Sequence, residues 1–136
     1  MQKLGKQTIK FDVPPSITSV ASIVGPKESN GPLAQYFDQC LADEFWGEKT
    51  WEKSESKIIK ETVNMAISKS GIASSDIEYC FAGDLLNQCI SSSFGLRELN
   101  IPFIGIFGAC STFVEGLSLG AVFTESCAQN VICAAS

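Results

Sequence analysis

The 136-residue chain contains no histidine. This removes the imidazole base of Ser–His–Asp and Cys–His catalysis from the chain, together with every His-containing zinc site. It also contains no basic run. Ten Lys and Arg against fifteen Asp and Glu give a formal net charge of −5. Without a basic stripe there is no footprint for a phosphate backbone, and no nucleic-acid partner is expected. None of the six cysteines, Cys40, Cys80, Cys89, Cys110, Cys127 and Cys133, lies in a Cys-x-x-Cys pair. A zinc ribbon and a thioredoxin-type redox motif are thereby excluded. The lysines of Met1–Lys10 are followed by no apolar stretch, so no signal peptide is visible. The thiols are expected to be reduced, in an intracellular protein.

Charge is scarcest at the C-terminal end. No Lys or Arg follows Arg97, and from Ile101 to Ser136 only Glu115 and Glu125 are charged. Ile101–Phe123 is long enough to span a bilayer. Glu115 sits near its middle, however, Pro102 and four glycines dilute it, and no basic residue flanks its C-terminal side. An acid at that depth is costly and the flanks are wrong for an anchor. A buried strand–turn–helix–strand unit is the better account.

What is present fits one globular domain. Hydrophobic residues make up 45% and charged residues 18%, which excludes a disordered chain. A compact monomer of this mass exposes about 6,900 Å², against roughly 21,000 Å² for its unfolded chain. The β-branched run Ile17–Val24 predicts a strand ending at Gly25-Pro26. Lys27–Trp51 is a polar and aromatic insertion with a short helix expected at Leu33–Ala42. Its aromatics Tyr36, Phe37, Phe45, Trp46 and Trp51 either clamp it to the body or form a partner surface. Trp51–Ser70 has helical periodicity, with Ile58, Ile59, Val63, Ala66 and Ile67 on one side, and Gly71 stops it at the C′ position. Further strands are expected at Ile77–Ala82, Phe103–Phe107 and Asn130–Ala134. Helices are expected at Leu86–Leu99 and Thr112–Ser126, the latter opened by a Thr112-x-x-Glu115 capping box. Strands alternating with helices predict an α/β fold with a mostly parallel sheet flanked by helices.

The Thr112–Ser126 helix is apolar nearly all round, through Phe113, Val114, Leu117, Leu119, Ala121, Val122 and Phe123, and such a helix is normally covered on nearly all sides. Gly116 and Gly120 permit close approach of another backbone, either the chain's own sheet or a second layer. Four strands cannot supply sheets on both sides of it. A second copy, another protein or a further half of the fold is therefore expected against it.

Gly108-Ala109-Cys110-Ser111 between a strand and this helix places a thiol at a sharp turn on a helix N-terminus, the arrangement of a nucleophile elbow. The helix dipole and free N–H groups there favour a thiolate and attract anions; a small cysteine filling a turn is the plainer alternative. Asp84, Asn87 and Gln88 follow the second strand, where a parallel sheet places its ligand crevice. Capping of the next helix is the alternative role for Asp84 or Asn87.

Further stretches extend the pattern along nearly the whole chain: Leu4-Gly5-Lys6-Gln7-Thr8, Val24-Gly25-Pro26-Lys27-Glu28, Gly31-Pro32-Leu33, Tyr36-Phe37-Asp38, Gly47-Glu48-Lys49 with Trp51-Glu52-Lys53, Ala82 to Gln88, and Ile101-Pro102-Phe103 through Phe107 to Thr112. In this order they resemble the N-terminal half of the thiolase and ketoacyl-synthase superfamily and, within it, the stage V sporulation AD family. The resemblance implies a fold of two similar halves stacked in five layers. Residues 1–136 would form the N-terminal thiolase-like half-domain with an insertion at 27–51, the C-terminal half being absent. Cys110 falls on the superfamily's acyl-accepting cysteine and the helix from Thr112 on its buried central helix. The superfamily's histidines and second cysteine belong to the other half, so complete thiolase chemistry is not expected of this chain.

The resemblance further implies a non-catalytic binder of dipicolinic acid serving its uptake into the developing spore. No cofactor is expected, with calcium as part of the ligand complex. The partners implied are membrane proteins of the same operon and further copies of the chain in a homo-oligomer. The implied location is intracellular, in the forespore or spore, peripheral to the inner spore membrane.

Two function classes follow. In a ligand-binding module, Cys110 and Ser111 line a carboxylate site and Asn87 and Gln88 offer amide donors. Asp84 would repel a dianion unless calcium bridges the two. In a thiol acyltransferase, Cys110 attacks a thioester and the N–H groups of the turn hold the oxyanion, but the chain offers no imidazole to move protons.

Overall fold

The computed structural model describes all residues from Met1 to Ser136. Seven short strands and four helices follow one another as β1 (Gln2–Leu4), β2 (Thr8–Lys10), β3 (Ile23–Val24), α1 (Pro26–Ser29), β4 (Gln39–Cys40), α2 (Trp51–Ser70), β5 (Tyr79–Gly83), α3 (Ile90–Leu96), β6 (Phe103–Gly105), α4 (Thr112–Ser126) and β7 (Val131–Ala135). The body is a parallel sheet in the order β6-β5-β7. Cys80 pairs with Phe103 on one side and Ile132 on the other. The α/β class read from the alternation of elements is the one observed.

Period-two alternation divides this sheet between two helical layers. Cys80 and Ala82 join Ile59 and Val63 of α2 and Leu96 of α3 in the core, with Ile132, Ala134 and Phe103 packed around them. The alternate residues face α4. Phe123 packs edge-on against Phe81 and Tyr79, with ring centroids 4.9 and 5.0 Å apart.

The small residues of α3 have a packing reason. Ser91, Ser92 and Gly95 are buried, and a Cβ at Gly95 would lie 2.4 Å from the Ser56 carbonyl oxygen of α2. The two helices meet backbone to backbone, which explains a serine run that reads as an irregular helix in sequence.

α2 has the span expected of it. Thr50 caps it by accepting from Lys53 N–H at 3.3 Å, and Gly71 closes it in the left-handed region at φ +70°. The insertion is clamped to its first turns. Phe45 and Trp51 rings lie 4.3 Å apart, and Lys57 lies over Trp46 while donating to its carbonyl at 2.8 Å. Tyr36 is left exposed.

Three expectations need correction. Only Ile23–Val24 of the Ile17–Val24 run forms a strand, in parallel register with Gln39–Cys40. The remainder runs along α2 without pairing, Ser19 Oγ donating to the Ala66 carbonyl at 2.8 Å. The helix expected at Leu33–Ala42 is instead a single 3₁₀ turn, Ala34–Tyr36, followed by β4. The helix expected from Leu86 begins at Ile90, because Gln88 and Cys89 adopt left-handed conformations at φ +54° and +75°. α4, for which a layer beyond this chain's own strands is expected, is covered by this chain on one side only. Gly116 and Gly120 face the chain's own sheet at Cys133 and Val131, while Phe113, Val114 and Leu117 on the other side are 50%, 63% and 36% exposed.

Candidate functional site

The carbonyl ends of β5 and β6 meet at a crossing that glycine alone permits. β5 ends at Gly83, where an added Cβ would lie 2.0 Å from the Ile106 carbonyl oxygen and 2.9 Å from the Thr112 methyl. Ile106 N–H donates to the Ala82 carbonyl at 3.0 Å, which extends the β5–β6 ladder one residue beyond β6. The chain then turns at Gly108 into a 3₁₀ turn, Ala109–Ser111, and continues as α4.

Thr112 holds this turn, by a route other than the expected capping box. It is the first residue of α4, and Ser111 at the cap position makes no side-chain cap. The nearly buried Thr112 hydroxyl accepts from Gly108 N–H at 3.1 Å and donates to the Ala109 carbonyl at 2.8 Å. Ser111 Oγ donates to the Gly108 carbonyl at 2.7 Å. Between these ties Ala109 adopts φ +48°, a left-handed conformation unfavourable for a residue with a Cβ. Cys110 and Ser111 project outward and are exposed. Glu115, one turn further along α4, bends back: a side chain at Gly108 would meet Glu115 Oε2 at 2.6 Å. A carboxylate therefore stands over the helix N-terminus.

The loop after β5 lies against the same crossing. Cys89 Sγ donates to the Ile106 carbonyl at 3.1 Å. Asp84, in contrast, is turned inward. Only 1% exposed, it accepts from Ser92 N–H at 2.8 Å, Ser92 Oγ at 2.7 Å and Asn87 N–H at 3.3 Å. It ties the left-handed 88–89 loop to the first turn of α3. Asn87 donates its side-chain amide to Glu52 of α2 at 3.1 Å. Gln88 is exposed. The structure thus brings both sequence-derived groups to one end of the sheet. Cys110, Ser111 and Gln88 are at the surface there, Asn87 is half-buried, and Asp84 lies beneath. Ser92, Thr112 and Glu115 belong to the arrangement as well. The Ser92–Asp84 tie spans eight residues and matches no helical or turn spacing, so no sequence signal points to it.

The remaining thiols have different surroundings. Burial pushes Cys80 up to about 12, with a further contribution from Cys133, and pushes Cys133 up to about 11. Burial, then the nearby Asp84 charge, also raises Cys89. These three are held as neutral thiols, whereas Cys40, Cys110 and Cys127 are exposed. No helix is long and apolar enough to cross a membrane.

Comparison with known proteins joins these local features to a family. The family model for stage V sporulation protein AD matches residues 5–136. Stage V sporulation protein AD of Bacillus subtilis (strain 168) is 37% identical over 125 residues, covering 92% of this chain and 37% of the relative. The chain therefore spans little more than a third of that relative's length. The match includes the Gly83 crossing, the Asp84 loop and the Cys110 turn in a single continuous stretch, and the chain belongs to the stage V sporulation protein AD family.

Proposed function

We propose that this chain is the N-terminal, thiolase-like portion of a non-catalytic binding protein that takes up dipicolinic acid, together with calcium, into the developing spore. The observation that carries this reading is the Gly108–Ser111 turn. It presents Cys110 and Ser111 on the N-terminus of a 15-residue helix, beside the loop that carries Asn87 and Gln88. N–H groups in the first turn of a helix lack intrahelical acceptors and carry partial positive charge, which suits one ligand carboxylate. Glu115 over the same turn disfavours a bare dianion and favours one whose charge calcium has offset, since calcium takes oxygen ligands from both sides. Asp84 contributes from beneath, by fixing the 87–89 loop. Membership of a sporulation family supports action at the spore; a position peripheral to the inner spore membrane, alongside membrane proteins of the same operon, is part of the same proposal.

Calorimetric titration of dipicolinate, with and without calcium, into the chain and its Cys110→Ala and Glu115→Gln variants tests this. Saturable heat is expected with calcium. Cys110→Ala should weaken it, and Glu115→Gln should reduce the dependence on calcium. Absence of saturable heat, or identical heats in all three proteins, overturns the assignment for this chain.

One observation favours a second reading. Exposed Cys110 beside a left-handed Ala109 is the geometry of a strand–turn–helix nucleophile. Incubation with an acyl-CoA and intact-mass measurement separates the two. An acyl adduct lost in Cys110→Ala marks a transferase, and no adduct marks a binder.

A further inference from the structure

We propose that the β1–β2 hairpin is a displaceable strap across the outer face of α4, with the Glu125 carboxylate as its pin. Glu125 is one of only two charges between Ile101 and Ser136, and it stands in the last turn of α4. That place is unfavourable for an acid, because the carbonyl end of a helix carries partial negative charge. Its side chain is also only 9% exposed, so desolvation adds to the cost.

The groups that offset this cost all come from the N-terminal segment. Glu125 accepts from Asp12 N–H at 3.1 Å, from Val13 N–H at 3.4 Å and from the Met1 amine at 2.7 Å. Neither α4 nor the β5–β7 sheet supplies it with a donor. The two backbone donors directly follow the hairpin and set where it lies. A carboxylate placed against the helix dipole, with every partner in one segment, has the holding of that segment as its role.

Little else holds the hairpin down. β1 and β2 pair only with each other, and every residue from Met1 to Lys10 is exposed. A lone two-stranded hairpin is marginally stable in water. Gln7, Ile9 and Phe11 face Val114, Leu117 and Ala121 of α4 across a gap of about 420 Å³. Ile9 is still 50% exposed there. A segment with so few buried contacts opens at low free-energy cost. No helix or strand lies between Lys10 and Ile23, so the connection can swing. Seated, the strap shields part of the apolar face of α4. Released, it bares that face, and any layer built against α4 has to displace it first.

Limited trypsin digestion of the whole chain reads the strap directly, because Lys6 and Lys10 stand on it and are exposed. Glu125→Gln should raise cleavage after both roughly 10- to 100-fold, the range that loss of charge-assisted hydrogen bonds gives. Cleavage after Lys57 and Lys60 of α2 and the urea midpoint should stay as in the wild type. Fluorescence of anilinonaphthalene sulfonate should rise together with strap cleavage, as the apolar face is bared. Ile9→Ser loosens the same seat from an exposed position and carries the test if Glu125→Gln does not fold. Unchanged rates at Lys6 and Lys10 in a folded variant overturn the proposal. So do unchanged dye fluorescence despite faster cleavage, and wild-type rates equal to those of a free peptide of the same sequence.

Discussion

Replacing Gly83 with alanine puts a methyl group 2.0 Å from the Ile106 carbonyl oxygen and 2.9 Å from the Thr112 methyl. An ordinary contact of carbon with a backbone oxygen needs more than 3 Å, so one of the two strands must move by about 1 Å. Ile106 N–H currently donates to Ala82 at 3.0 Å, and a displacement of that size takes the bond beyond hydrogen-bonding range. Overpacking contributes about 1–3 kcal/mol and the lost buried bond about 1 kcal/mol more. The lower chain entropy of alanine in the unfolded state offsets about 0.5–1 kcal/mol. The expected net loss is about 2 kcal/mol. With a urea m-value of about 1.5 kcal/mol/M for a chain of this size, the unfolding midpoint falls by roughly 1.5 M. Gly25→Ala is the control: a Cβ there meets nothing within 4 Å, and the backbone is at φ −78°, so a change within about 0.5 kcal/mol is expected. Gly83→Ala should also change the rate at which Cys110 is labelled, since the turn rides on Ile106–Gly108. A Gly83→Ala midpoint equal to that of Gly25→Ala would refute the crossing described here.

Asp84→Ala leaves the Ser92 N–H and hydroxyl without their acceptor in a buried site, and should destabilise by about 2–4 kcal/mol, with Asp84→Asn costing less because it keeps one oxygen; equal midpoints in urea would show the tie to be absent in solution. Ellman's reagent at neutral pH should label Cys40, Cys110 and Cys127 quickly, and Cys80 only on unfolding; fast labelling of a fourth thiol would contradict the burial described. Stability should be flat below pH 9 as far as the thiols are concerned. Above it, the unfolded chain ionises Cys80 while the folded chain keeps it protonated up to about 12. Stability then falls by about 1.4 kcal/mol per pH unit from Cys80, with a smaller contribution from half-buried Cys133. Urea midpoints at pH 8, 9.5 and 10.5 read this slope, and Cys80→Ala should flatten it.

Helices whose determinants are local were legible in the sequence. α2 follows from an apolar stripe and a stop at Gly71, and α4 from its apolar content between the Cys110 turn and the charge-poor stretch after it. β5, β6 and β7 were placed within two residues, because buried parallel strands are short apolar blocks. Ile17–Val24 has the same composition yet pairs over only two residues. Strand formation depends on a partner distant in sequence, and composition does not reveal whether that partner is free. The Cys110 turn was legible for a local reason as well, being a small-residue link between strand and helix. The inward rotation of Asp84 was not, because its acceptor oxygens are claimed by Ser92 through the close packing of α3 on α2. Nor was Glu115's position over Gly108, since the pattern that suggested a capping box is equally satisfied by a threonine that folds back on the turn.

Thr112 and the two glycines at Gly83 and Gly108 divide the labour at this end of the sheet in a way that bears on how such a site can change over generations. The three shape-defining positions are closed to substitution by steric contact or by paired hydroxyl bonds. Cys110 projects into solvent from a turn whose course it does not determine. Its side chain can be exchanged for a carboxylate, a hydroxyl or a plain methyl with little effect on the fold that carries it. Such a scaffold separates the residues that set the course of the turn from the one that the turn displays, so the exposed side chain at position 110 can change while the crossing of β5 and β6 stays as it is.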